Sequence, residues 1–155
     1  MLNILEVVQM KTMYIDAEHT VIIIDGMPLD ELLQKLYPDQ LLRGLIPMIV
    51  DWMDSKEAKL VVERFYSDDS PSILPVLMCP DDCDLSCTII VAEVIRSNDK
   101  IIWNRIGYDN SECNQNTGMI DIGTKVKWFD KVNCMIFDRE TYYTSLESIY
   151  TLHIK

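Results

Sequence analysis

At 155 residues the chain is long enough for one domain to bury a full core without disulfide or metal staples. Hydrophobic residues make up 48% and charged residues 25%, which excludes a disordered chain. Fourteen Lys and Arg face 25 Asp and Glu, for a net charge of -11, and a field of that sign repels phosphate backbones and anionic membrane surfaces.

Residues 2–8 alternate poorly and suit an edge strand. Residues 21–24 are β-branched and read as a buried strand, ended by a turn at Asp25 and Gly26. Leu29, Leu32, Leu33 and Leu36 then follow the spacing of one helical face. Pro28 suits the first turn of that helix, Asp30 and Glu31 lie near its positive end, and Pro38 closes it. A second helical stretch is expected from Gln40 toward Met53, broken near Gly44 and Pro47. Residues 55–66 fit either a helix or a strand, and Ser55 as cap with Glu57 and Ala58 favours a helix.

Residues 67–71 are a loop, and residues 73–78 form a strand that tolerates Pro75 only at an edge or a bulge. A second loop covers residues 79–86. Residues 88–95 and 101–108 are β-rich runs joined by Arg-Ser-Asn-Asp-Lys, the strongest hairpin signal in the chain. Both runs are apolar on both faces, so the hairpin is expected at the centre of a sheet. Residues 109–117 are polar and looped. Short strands are expected at 125–129 and 134–137, and Asp138 caps a final helix through Ile149. Helices fall in the first half and antiparallel strands dominate the second. The expected fold is α+β, a single domain over residues 1–155, with a mostly antiparallel sheet and helices packed on one side.

The opening Met-Leu-Asn-Ile-Leu-Glu has no basic region, and no charge-free apolar run approaches the roughly 20 residues of a membrane span. A cytoplasmic location is expected, in which five cysteines are not a disulfide framework. Cys79, Cys83 and Cys87 invite a metal reading, but their spacing is unspecific, and a further ligand would have to come from Cys113, Cys134 or an aspartate. Buried, inert thiols are the expectation, with no metal and no cofactor. Asp81, Asp82 and Asp84 crowd these cysteines and suppress a nucleophilic thiolate. Gly118 to Lys125 has the glycine spacing of a phosphate loop, but the order Thr124-Lys125 is reversed and a strand is expected after it, so the match is chance. His19 and His153 lack catalytic neighbours in sequence.

Charge placement is more informative. No Lys or Arg lies between Arg64 and Arg96, while Asp68, Asp69, Asp81, Asp82 and Asp84 fill the two loops beside one strand. They form either a binding surface for a basic protein or two solvated loops. Tyr108 is a candidate aromatic contact, whereas Trp103 and Trp128 are read as core.

Size, acidity, the absence of a catalytic signature and the α+β pattern resemble small acidic bacterial immunity proteins of polymorphic or contact-dependent toxin systems. LMCPDDCDLSCTIIVAEV at 77–94, with WNRIGYD at 103–109, is also similar to segments of small bacterial proteins. The resemblance implies a partner, not a reaction: a cognate toxin domain whose basic cleft is covered by the acidic loops, with no nucleic acid and no membrane bound. The competing expectation is a small metal protein or enzyme built around Cys79, Cys83 and Cys87.

Overall fold

The computed structural model describes residues 1–11 and 17–153. The first half holds β1 (Leu5–Met10), β2 (His19–Ile24), β3 (Met27–Pro28), α1 (Leu29–Leu36), β4 (Ile46–Pro47) and α2 (Ser55–Tyr66). The second half holds β5 (Ser72–Met78), β6 (Ile89–Arg96), β7 (Lys100–Asp109), β8 (Cys113–Asn114), β9 (Met119–Ile120), β10 (Val126–Trp128), β11 (Met135–Asp138) and α3 (Arg139–Tyr150). The fold is α+β, as expected. All strand pairs are antiparallel.

The main sheet runs β10-β7-β6-β5-β4, and β11 pairs with the other end of β7. The hairpin β6–β7 is therefore central. Ile89, Ile90, Val91, Ala92 and Val94 are all buried, so β6 has no solvent face. α2 and α3 cover the face that carries Trp103 and Phe137. Phe65 of α2 stacks on Tyr150 of α3 at 4.3 Å, and the Trp103 indole N–H donates to the Tyr142 hydroxyl at 3.0 Å. On the other face, Trp128 lies beside Gly107, where a side chain would meet Val126 and Trp128 at under 3 Å. A second sheet, β1-β2-β3, carries α1 and contacts α3 through β1.

Pro75 sits inside the main sheet at a register shift between Pro75 and Leu77, the bulge its missing N–H requires. Its carbonyl takes the Tyr150 hydroxyl at 2.8 Å. α2 starts where expected, with Asp54 rather than Ser55 as its cap. Asp138 caps α3 through the Thr141 N–H at 3.0 Å.

The helix expected from Gln40 toward Met53 does not form. Residues 40–45 are a loop, followed by β4 and a single 3-10 turn at Val50–Trp52. Gly44 takes a φ of 94°, outside helical space. Side chains of α1 replace the helical hydrogen bonds. The Gln34 carbonyl accepts from Leu42 and Arg43 N–H, and Asp30 accepts from Gly44 N–H at 2.8 Å. The polar stretch 109–117 also contains more order than expected, because β8 and β9 close a two-stranded hairpin.

Two-sided burial predicts where exchange is slowest. Amide hydrogen exchange should be slowest in β6 and β7 and fast in residues 110–117. Rapid exchange throughout the central hairpin would contradict the architecture.

Candidate functional site

Residues 79–88 connect β5 to β6 at one end of the main sheet. The loop is shaped by its own chemistry. Cys83 adopts φ 48°, and its N–H returns to the Cys79 carbonyl at 3.0 Å. Asp84 folds a local turn by accepting from the Ser86 N–H and hydroxyl. Leu85 is buried, and its N–H donates to the Glu57 carboxylate at 3.1 Å. That bond docks the loop on the first turn of α2.

Carboxylates gather as a result. Burial pushes the Glu57 carboxyl up, the Leu85 N–H opposes this, and the Asp84 and Asp54 charges push it further up. The partly positive N-terminus of α2 makes this crowding tolerable. Asp81 and Asp82 are exposed, and Asp84 is half-buried. None of Asp54, Glu57, Asp81, Asp82 and Asp84 forms an ion pair among the described residues.

Two clefts flank the loop. One, of about 560 Å³, lies between Leu41, Arg43 and Gly44 on one wall and Cys79, Pro80 and Asp81 on the other. Leu41 stands almost fully exposed at 94%. The other cleft, of about 430 Å³, is lined by Ser86, Cys87, Tyr108, Asp109 and Ser111. Tyr108 pairs with Ile90 and with Lys127 across the sheet and is half-buried.

The structure thus brings Asp81, Asp82, Asp84 and Tyr108 to one end of the sheet. It does not bring Asp68 and Asp69 there. Those two precede β5, whereas the other acids follow it, and seven extended residues separate the groups by roughly 20 Å. Arg96 holds the 67–71 loop against β5, donating to the Asp69 carbonyl at 2.6 Å and to the Ser72 hydroxyl at 2.6 Å. Both aspartates remain exposed. Trp103 is core, as expected, and Trp128 is half-buried under the Arg105 guanidinium at 4.0 Å. The segment Gly118 to Lys125 leads into β10, not a helix.

The cysteines divide. The Sγ atoms of Cys79 and Cys87 and a carboxylate oxygen of Asp82 all lie within 4.8 Å of one another. Cys83 lies outside this trio and donates its thiol to the Pro80 carbonyl. Burial first, then hydrogen bonds with Cys79 and Asp82, push the Cys87 thiol up to about 11. Burial, then Cys79, then Asp84, Asp82 and Asp81 raise Cys83. These two thiols are protonated at neutral pH and are poor nucleophiles.

No family model, curated protein or solved structure matches this chain. What the site can do follows from its own residues. It offers uncompensated negative charge, an exposed leucine and a tyrosine, which together can hold a cationic, partly apolar surface. Asp54, Glu57 and Leu41 had no distinguishing signal in sequence, because only the docking of two loops on α1 and α2 gathers them.

The wall bearing Leu41 hangs from Asp30, whose carboxyl is raised above all by burial. A raised folded pKa means that Asp30 contributes stability when protonated, and this is lost as pH rises through the folded pKa. Asp30→Asn keeps the acceptor for Gly44 and removes the buried charge. It should be at least as stable as the parent at pH 7, whereas Asp30→Ala should lose about 1–3 kcal/mol by leaving that N–H unpaired. Urea unfolding of both variants checks this. An Asn variant as unstable as the Ala variant would contradict it.

Proposed function

We propose that this chain is an immunity protein that binds the cognate domain of a bacterial toxin and covers a basic cleft on it. The observation that carries the reading is the cluster of Asp54, Glu57, Asp81, Asp82 and Asp84, which lacks ion pairs among the described residues and crowns one end of the sheet. A surface of this sign speeds encounter with a basic partner, and contacts at short range then decide residence time. Leu41 and Tyr108, on either side of the acidic loop, supply those contacts.

The proposed division of labour is spatial. Asp81, Asp82 and Asp84 face the docked partner. Asp68 and Asp69 lie beyond a Debye length of about 8 Å from them at physiological salt, so they add only to the general field. The proposed setting is the cytoplasm of the toxin-producing cell. No helix among the described residues is long and apolar enough to cross a membrane.

The test is association with the product of the neighbouring gene, measured at low and high salt. Asp81→Asn, Asp82→Asn and Asp84→Asn combined should slow association about tenfold at low salt and flatten its salt dependence. Asp68→Asn with Asp69→Asn should change it less. Tyr108→Ala should mainly speed dissociation. No complex at micromolar concentration removes the reading for that pair. A complex whose on-rate ignores both salt and the triple substitution refutes the acidic-loop mechanism.

A further inference from the structure

We propose that Cys79, Asp82 and Cys87 form a binding site for one zinc-like divalent cation, with two sulfur ligands and one oxygen ligand. The proposal does not rest on the immunity reading, although Asp82 belongs to both.

The spacing of the cysteines in sequence is a poor guide because the three thiols do not act together. The left-handed turn at Cys83 sends that side chain to the Pro80 carbonyl and brings Asp82 in beside the other two. The third ligand is therefore an aspartate from the same loop, and neither Cys113 nor Cys134 is needed. Tetrahedral zinc holds sulfur at about 2.3 Å and carboxylate oxygen at about 2.0–2.2 Å, so its ligand atoms stand roughly 3.5–3.8 Å apart. Ligand atoms already within 4.8 Å of one another reach that spacing by small side-chain rotations. Main-chain rearrangement is not required.

The donor set selects the ion. Calcium and magnesium take oxygen ligands, often six or more, and thiols serve them badly. Two thiols with one carboxylate suit a borderline-soft ion such as zinc. Each thiol gives up its proton to water as it ligates. Three protein ligands leave one tetrahedral position for water. Access is open, because Cys79 lines one flanking cleft and Cys87 the other. Asp81 and Asp84, on the same loop, raise the local concentration of cations.

A bound ion would fix the loop that carries the acids by crosslinking its first residue to its last turn. The experiment uses the full chain under a phosphine reductant, with Co2+ as the probe and Zn2+ as competitor. One Co2+ per chain should bind at micromolar concentration, with tetrahedral visible bands and sulfur-to-cobalt charge transfer, and Zn2+ should displace it. Outer-sphere partners alone alter metal affinity about 10–100-fold, so loss of a direct ligand should weaken binding at least tenfold. Cys79→Ser and Cys87→Ser should each do so and diminish the charge-transfer band. Asp82→Asn should weaken binding similarly but keep the sulfur bands, and because Asp82 is exposed this variant tests the site without disturbing the fold. Cys83→Ser and Cys113→Ser should bind as the parent does. Absence of charge transfer, binding indifferent to Cys79 and Cys87, or equal loss in Cys83→Ser would overturn the proposal. Because no partner is present, failure here leaves the immunity reading standing, and failure of partner association leaves the metal site standing.

Discussion

Strand β6 has no face open to water, and the rest of the molecule is arranged around that fact. Five of its residues are buried on alternating sides, so both faces of the sheet need a cover. α2 and α3 supply one, joined by the stack of Phe65 on Tyr150 and pinned to the sheet by Tyr142 on Trp103 and Tyr150 on Pro75. Trp128 and the chain around Gly123 supply the other, at a closeness that only glycine permits at Gly107 and Gly123. Burying β6 therefore fixes the direction of α2. Its N-terminus, with Asp54 and Glu57, is held at the end of the sheet where β5 turns into β6. The acidic cluster is a consequence of core packing and not of loop composition alone.

Much of this was legible in residue patterns. The central hairpin and the last helix with its Asp138 cap are encoded by local periodicity and capping, whereas residues 55–66 fit either helix or strand in sequence and are capped by Asp54, not Ser55. The segment 40–53 was not legible. Its apolar residues mimic a helical face, but Gln34 and Asp30 of α1 take its N–H groups, a competition that local propensity does not contain. The site was half legible. Charge depletion between Arg64 and Arg96 marks the two acidic loops, and their places on either side of one strand put them at opposite ends of β5; sequence does not show that Asp54 and Glu57 join the second loop. At the cysteines, too, spacing alone does not show which side chains lie together. One left-handed residue, Cys83, decides which side chains converge, and backbone handedness at a non-glycine residue leaves no trace in spacing.

The loop at residues 79–88 combines both proposals at one place. Asp81 is exposed on its surface, while the sulfurs of Cys79 and Cys87 lie beside a carboxylate oxygen of Asp82. Glu57 holds the loop through the Leu85 N–H, which ties it to the first turn of α2. For the proposed binding role, a preformed surface loses less entropy on association. The same loop sets the environment of the Cys83 and Cys87 thiols. They are partly buried among carboxylates, a setting that disfavours the thiolate unless a cation enters.

The central claim is that the partner docks on this end of the sheet. The most direct measurement is amide hydrogen exchange of the chain alone and in complex with the neighbouring gene product. The account predicts that protection gained on binding concentrates in residues 79–88 and in residues 40–45, with little change at residues 67–71. Protection confined to the exposed edge of β1, or to the loop at residues 67–71, would contradict it.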